Sequence, residues 1–109
     1  MPDDTKRIEK LRNIVEVLRD LDDEFPAQSV YAFIAIALED GISIQELSER
    51  VGLTLGATSR NVAKLADRHN GRAGLGLIRV DFAANNYRKK VLGLTNKGHT
   101  FLDRLIKEL

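Results

Sequence analysis

Residues 44–64 read IQELSERVGLTLGATSRNVAK. Ile44, Leu47 and Val51 fall on one side of a helix, which gives a short amphipathic segment from Ile44 to Val51. Gly52 stops it, Leu53-Thr54 make a tight connection, and a second helix is predicted over Leu55 to Arg68. Its inward set is Leu55, Thr58, Val62, Leu65 and Ala66, and its outer side carries Gly56, Ala57, Ser59, Arg60, Ala63 and Lys64. Two short helices about a glycine turn are the helix-turn-helix arrangement, in which the second helix can lie in a DNA groove.

The upstream sequence supplies a scaffold for this pair. Ala27 to Asp40 (AQSVYAFIAIALED) is apolar on nearly every side, which predicts a core helix that starts after Pro26 and is capped by Gly41. Ile42-Ser43 is a brief extended step. Before Pro26, Ile8, Leu11, Ile14, Val15, Leu18 and Leu21 recur every three or four residues, so a first helix is predicted from about Asp3 to Asp23. Val17 and Phe25 widen its stripe beyond what one core needs, leaving an edge for a second subunit.

Downstream, His69-Asn70-Gly71 is expected to close the fourth helix, and Arg72 to Gly76 reads as a loop. Ile78, Val80 and Phe82 alternate with Arg79 and Asp81, Ala83 to Arg88 forms a polar tip, and Lys89 to Leu94 returns as a second strand. Thr95 is a suitable N-cap for a last helix striped by Phe101, Leu102, Leu105, Ile106 and Leu109. The expected fold is mainly α with a small β-hairpin: a winged helix-turn-helix of about five helices and a two-stranded wing. It forms a single domain over 1–109, divided into an N-terminal dimerisation helix (1–24), a winged core (26–95) and a C-terminal helix (96–109).

A length of 109 residues suits one domain, and 43% hydrophobic with 30% charged residues suits a soluble globular chain. The absence of cysteine excludes disulfides and thiolate metal sites. No apolar run approaches the ~20 residues a bilayer span requires, and the N-terminus is acidic rather than signal-like, so a cytoplasmic protein, mature as written, is expected. Net charge is only +1, but it is unevenly placed. Met1 to Glu49 holds five Lys and Arg against twelve Asp and Glu, whereas Arg50 to Leu109 holds twelve against four. That asymmetry points to one face that meets a polyanion.

The expected DNA contacts follow from residue chemistry. On the recognition helix they are Thr54, Gly56, Ala57, Ser59, Arg60, Asn61 and Lys64: small residues permit close approach, Arg60 can pair bidentately with guanine, and Lys64 suits a phosphate. On the wing they are Asn85, Asn86, Tyr87, Arg88, Lys89 and Lys90, with Arg88 suited to the minor groove and the lysines to phosphates. Those lysines are equally what an edge hairpin uses against aggregation. His69 and His99 stand apart, Gly71, Gly74 and Gly76 lack the Lys-Ser/Thr of a phosphate loop, and Asp20, Asp22, Asp23 and Glu24 lack calcium-loop spacing and read as a solvated helix end. No catalysis, metal or cofactor is expected. Alternatives within reach of the same pattern are a protein-interaction module and an architectural or replication DNA-binding protein of little sequence choice.

The run 44–64, with Gly76-Leu77-Ile78 and Arg88 to Gly98 (RKKVLGLTNKG), resembles the MarR family of winged helix regulators, over about Ala27 to Leu109. Leu94-Thr95-Asn96-Lys97-Gly98 is similar to that family's Leu-Thr-x-x-Gly junction, and SRNVAKL with Gly74 to Ile78 resembles its short members in phages and mobile elements. The resemblance implies a homodimer with interlocked terminal helices, here through Ile8, Leu11, Val15, Leu18, Phe101, Leu105 and Leu109. It implies a transcriptional regulator, a repressor by expectation, on pseudo-palindromic double-stranded DNA. The family's Asp-x-Arg wing signature stands here as Asn86-Tyr87-Arg88, so the acidic brace is missing. Many members are longer and form an effector pocket with the extra helix; a small-molecule effector is not expected for this chain, nor is a membrane partner.

Overall fold

The computed structural model describes residues 4–66, 68–69 and 72–109, with the side chains of Arg68, His69, Arg72, Asn86 and Tyr87 outside that description. The expected helix start at Asp3, the Asn70-Gly71 stop and the side-chain roles of Asn86 and Tyr87 therefore fall outside the described residues. The elements run α1 (Thr5–Leu21), α2 (Ala27–Leu38), β1 (Ile42–Ser43), α3 (Ile44–Val51), α4 (Leu55–Leu65), β2 (Arg68–His69), β3 (Arg72–Ala73), β4 (Ile78–Ala83), β5 (Asn86–Leu94) and α5 (Asn96–Lys107). This is a mainly helical winged helix-turn-helix. Among the described residues no helix is long and apolar enough to cross a membrane.

The core collects one face of each element: Phe33 and Ile36 of α2, Leu47 of α3, Val62 and Leu65 of α4, Leu77, Ile78 and Leu92 beside the sheet, and Phe101 of α5. Phe101 joins the two ends of the chain, stacking on Phe25 at 6.2 Å between ring centres and meeting Phe33 edge-on at 5.7 Å. Three strands form the main sheet in the order β1-β5-β4, all antiparallel. The Ile42-Ser43 step thus pairs with Leu92 and Val91, adding a strand to the expected two-stranded wing.

Several boundaries differ from expectation. The last turn of α1 stops at Leu21, because Asp22 turns extended. Helix α2 ends at Leu38 with Glu39 as its cap, and Gly41 instead takes φ 88° in the following turn and donates its N–H to Leu92 O. Nor is α2 buried all round: Tyr31, Ile34 and Leu38 are exposed. Helix α4 stops at Leu65 rather than Arg68, Leu55 is exposed rather than inward, and Arg72–Ala73 is a strand paired with Arg68–His69, not a loop.

The early end of α4 has a physical cause. After the β2–β3 hairpin the chain turns back, and Leu75, Gly76 and Leu77 donate their N–H groups to Lys64 O, Ala66 O and Leu65 O at 2.8–2.9 Å. Carbonyls that another helical turn would have used are satisfied from outside. Gly74 is required here, since a Cβ would collide with Ala66 O. On its other side the same segment is held by Thr95, whose N–H meets Leu77 O at 3.0 Å and whose hydroxyl donates to Gly76 O at 2.6 Å. The Thr95 hydroxyl also accepts from Gly98 N at 3.0 Å, capping α5. Gly98 is buried against Leu77 O, where a Cβ has no room. The Leu-Thr-x-x-Gly junction is thus a hydrogen-bonded knot between wing, α4 and α5.

Alanine is favoured over glycine by ~1 kcal/mol in an ordinary helix. At Gly98 the backbone collision should outweigh that gain, so Gly98→Ala is expected to destabilise by about 1–3 kcal/mol in urea unfolding.

Candidate nucleic-acid interface

The turn between α3 and α4 is set by local chemistry. Ser43 and Glu46 form a reciprocal capping box, the Ser43 hydroxyl accepting from Glu46 N and Glu46 accepting from Ser43 N, each at 3.1 Å. Gly52 closes α3 in the left-handed conformation, φ 70°, and donates to Ser48 O at 2.9 Å. Thr54 caps α4 by accepting from Ala57 N at 3.1 Å. The first turn of α4 carries no acid, so its N-terminal partial positive charge is uncompensated.

Outward from α4 stand Leu55, Gly56, Ser59 and Arg60, all exposed. The Arg60 guanidinium lies over Gly56, close enough that a Cβ there would touch Nη1 at 3.7 Å. Two expected contact residues face the protein instead. Asn61 is part-buried, accepting from the fully buried Ser29 hydroxyl of α2 at 2.7 Å and donating to Ala57 O at 3.0 Å. Lys64 is committed to Asp22 at 2.9 Å, its side chain largely covered. Both fix the roll of α4 about its own axis. The hint in the sequence was polarity at positions 58 and 61, where a helix packed on α2 would otherwise carry aliphatic side chains.

The wing is tighter than its sequence suggests. Only Ala84-Asn85 forms the turn, because Ala83 already pairs with Asn86. The next pair is Phe82 with Lys90, so Tyr87, Arg88 and Lys89 have no register partner on β4 and bulge from β5. A bulge re-aims the residues it carries. Here Arg88, Lys89 and Lys90 line one side of a groove of about 680 Å³ whose other side is Leu55, Ser59 and the start of α3. At the wing base Arg79 spans the sheet, donating to Leu94 O at 2.7 Å and Asp81 at 2.9 Å and reaching Asp40 at 3.5 Å. Gly93 leaves the space its guanidinium occupies.

The two oppositely charged halves of the sequence partly neutralise one another in space. Arg50 pairs with Glu39, Lys64 with Asp22, Arg79 with Asp40, and Arg104 with Asp20. The acidic end of α1 is therefore an anchoring point for α4 and α5 rather than only a solvated helix end. Among the described residues Arg60, Lys89 and Lys90 are exposed and in no ion pair, as are Lys6, Arg7 and Arg19 of α1 and Lys97 and Lys107 of α5. Lys89 lies near enough to Glu46 to help hold that carboxyl below its usual range, behind the larger effect of the hydrogen bonds from Ser43. On the side of α4 and the wing, exposed positive charge is supplied by Arg60, Lys89 and Lys90.

The expected dimer residues divide. Ile8, Leu11, Val15 and Leu109 are exposed, and Ile106 joins them. Phe101 and Leu105 are core residues, at 4% and 9% exposure, and offer no free face, whereas Leu18 packs partly against the core and partly lines a groove with Val15. The α5 stripe was legible, but it is wide enough to serve two surfaces.

A family model described as winged helix-turn-helix DNA-binding matches residues 34–69. Among solved structures the chain is similar to the S. aureus MepR-DNA complex, at 15% identity and TM-score 0.76 over 94% of this chain and 77% of that one. It is similar to an E. coli MarR mutant complexed with operator DNA, at 22% identity and TM-score 0.69 over 94% and 66% of the respective chains. It is also similar to the PcaV transcriptional regulator of Streptomyces coelicolor, at 21% identity and TM-score 0.66 over 99% and 74%. No curated protein sequence matches the chain.

The Asp22 carboxyl is held below its usual range, first by the hydrogen bond from Lys64, against a smaller opposing effect of burial. A depressed pKa stabilises the fold at pH above the ordinary carboxylate range and ceases to do so as pH falls through the lowered value. Asp22→Asn should therefore cost on the order of 1 kcal/mol at neutral pH, and the difference from wild type should shrink as pH falls through the lowered value, as read by denaturant unfolding at neutral and acidic pH.

Proposed function

We propose that this chain, which has the fold of MarR, MepR and PcaV, is a double-stranded DNA-binding transcriptional regulator that acts as a homodimer on a pseudo-palindrome, most simply as a repressor. The observation that carries the reading is the groove between α4 and the wing, which Ser59 of α4 lines together with Arg88, Lys89 and Lys90 of β5, while the exposed Arg60 stands next to Ser59 on α4. Helix α4 enters the major groove, with Thr54, Gly56, Ala57, Ser59 and Arg60 nearest the bases. Arg60 reads guanine and Ser59 a base or phosphate. Asn61 and Lys64 orient the helix from behind. The bulged wing carries Arg88 toward the minor groove and Lys89 and Lys90 toward phosphates, with Asn85, Asn86 and Tyr87 at its tip.

The dimer forms through the exposed apolar edge of α1 (Ile8, Leu11, Val15) together with Ile106 and Leu109 at the end of α5. The molecule measures 53 × 26 × 26 Å, and the first two turns of α1 are exposed on every side, so this edge is available to a partner. In this division 1–24 is the dimerisation helix, 26–95 the DNA-binding core and 96–109 the second dimerisation element. Two recognition helices so paired would meet half-sites roughly 34 Å apart, one turn of duplex, or a multiple of it. No catalytic, metal or cofactor role enters this reading, and the chain works in the compartment that holds its DNA.

Selection on a random duplex pool near physiological salt tests the proposal directly. An enriched inverted repeat is expected; recovery without a consensus would favour an architectural protein, and no recovery would favour a protein-interaction module. On the selected duplex, Arg60→Ala should cost about 1–3 kcal/mol and relax preference at one base position. Replacing Arg88, Lys89 and Lys90 by Ala together should weaken binding and flatten its salt dependence by up to about three phosphate contacts. Unchanged base preference in the first case, or an unchanged salt slope in the second, would refute the respective assignment.

A further inference from the structure

The wing carries an apolar feature that the charge argument leaves unused. Phe82 is 61% exposed and Val80 39% exposed, two residues apart on β4 and therefore on one face of it. Phe82 is the cross-strand partner of Lys90, and such partners project from the same face of the sheet. That face looks toward α4: Lys90 lines both grooves beside Ser59, and Val80 lines the second of them with Ser59, Val62 and Ala63. Phe82 stands farther out than Val80, two residues before the Ala84-Asn85 turn and at the register shift that opens the bulge. Together Phe82 and Val80 leave an apolar strip exposed along the edge strand β4, on the same face as the Lys90 ammonium.

We propose that Phe82 is a DNA-contacting residue, its ring seated on the deoxyribose edges that wall the minor groove beside the wing, with Val80 as the inner end of the same apolar strip. The inference rests on the DNA-binding reading above. With α4 in the major groove, the next sugar-phosphate strand runs between α4 and the face of the wing that bears Lys90 and Phe82. Lys90 supplies charge for the phosphates and Phe82 supplies an apolar surface for the sugars between them, a pairing that suits a nucleic-acid backbone with its alternation of charged and C–H groups. Apolar side chains at minor-groove edges also favour duplexes that open that groove, so Phe82 contributes to sequence choice through deformability without touching a base edge.

The distinguishing property is salt dependence. A phosphate contact releases counterions and an apolar contact does not. The test uses the full-length protein and the duplex enriched by selection, with affinity measured from 50 to 300 mM salt for wild type, Phe82→Ala, Phe82→Leu and Lys90→Ala. Phe82→Ala should bind roughly tenfold more weakly with an unaltered slope, and Phe82→Leu should fall between it and wild type. Lys90→Ala should bind more weakly with a reduced slope. Incorporation of p-benzoylphenylalanine at position 82 should photo-crosslink to the DNA outside the bases read by α4. Wild-type affinity in Phe82→Ala, a changed slope in that variant, absence of the crosslink, or weaker self-association of DNA-free Phe82→Ala would each overturn the proposal. If wild type itself retains no duplex, the DNA-binding reading fails, a result separate from any of these.

Discussion

The segment Gly74 to Leu77 lies between two layers of backbone, and the orientation of everything that faces outward depends on it. On one side its N–H groups satisfy the last carbonyls of α4; on the other its own carbonyls are taken by Thr95. The recognition helix, the wing and the C-terminal helix thereby share one hydrogen-bonded seam. Two glycines make the seam possible by leaving no Cβ where the backbones meet, Gly74 against Ala66 O and Gly98 against Leu77 O. Buried amide groups left unpaired there would cost more than the packing around them returns, so the three elements are held as one body.

A second constraint acts at right angles to the seam. The Ser29 hydroxyl, fully buried, has its partner in Asn61, and Asn61 is in turn fixed to Ala57 O. Rotation of α4 by one residue would strand that hydroxyl in the core, whereas an all-aliphatic contact could slide. The ion pair between Lys64 and Asp22 sits on the same side and links the helix to the end of α1. Leucines and valines hold α4 against the core, and polar atoms set which of its residues look outward.

Most of the fold was legible because its signals are local. Period-three-and-four apolar spacing, the Thr95 cap and Gly52 placed α3, α4 and α5 to within a few residues. The misplaced features depend on partners distant in sequence. The early stop of α4 is imposed by residues 75–77, and the pairing of Ile42-Ser43 by a strand some fifty residues downstream. The division of the last helix between a core face and an outer face follows from Phe25 and Phe33 covering Phe101. At the candidate site the outward Arg60 and the basic wing were readable from residue type. The inward commitment of Asn61 and Lys64 was not, since Ser29 and Asp22 lie more than thirty residues away, and the bulge that carries Arg88 and Lys89 is a matter of register.

The distribution of internal ion pairs also bears on how fast a partner is met. Acids of the first half of the chain hold Arg79 at the base of the wing, Lys64 near the end of α4 and Arg104 on α5, while Arg88, Lys89 and Lys90 line the groove beside α4. A net charge of +1 leaves the molecule nearly neutral as a whole, so its charge acts through local clusters. Long-range attraction to a polyanion is then weak. The basic cluster of the wing then acts at short range, within about 10 Å of a charged partner at ordinary salt, and holds an encounter already made rather than drawing one in.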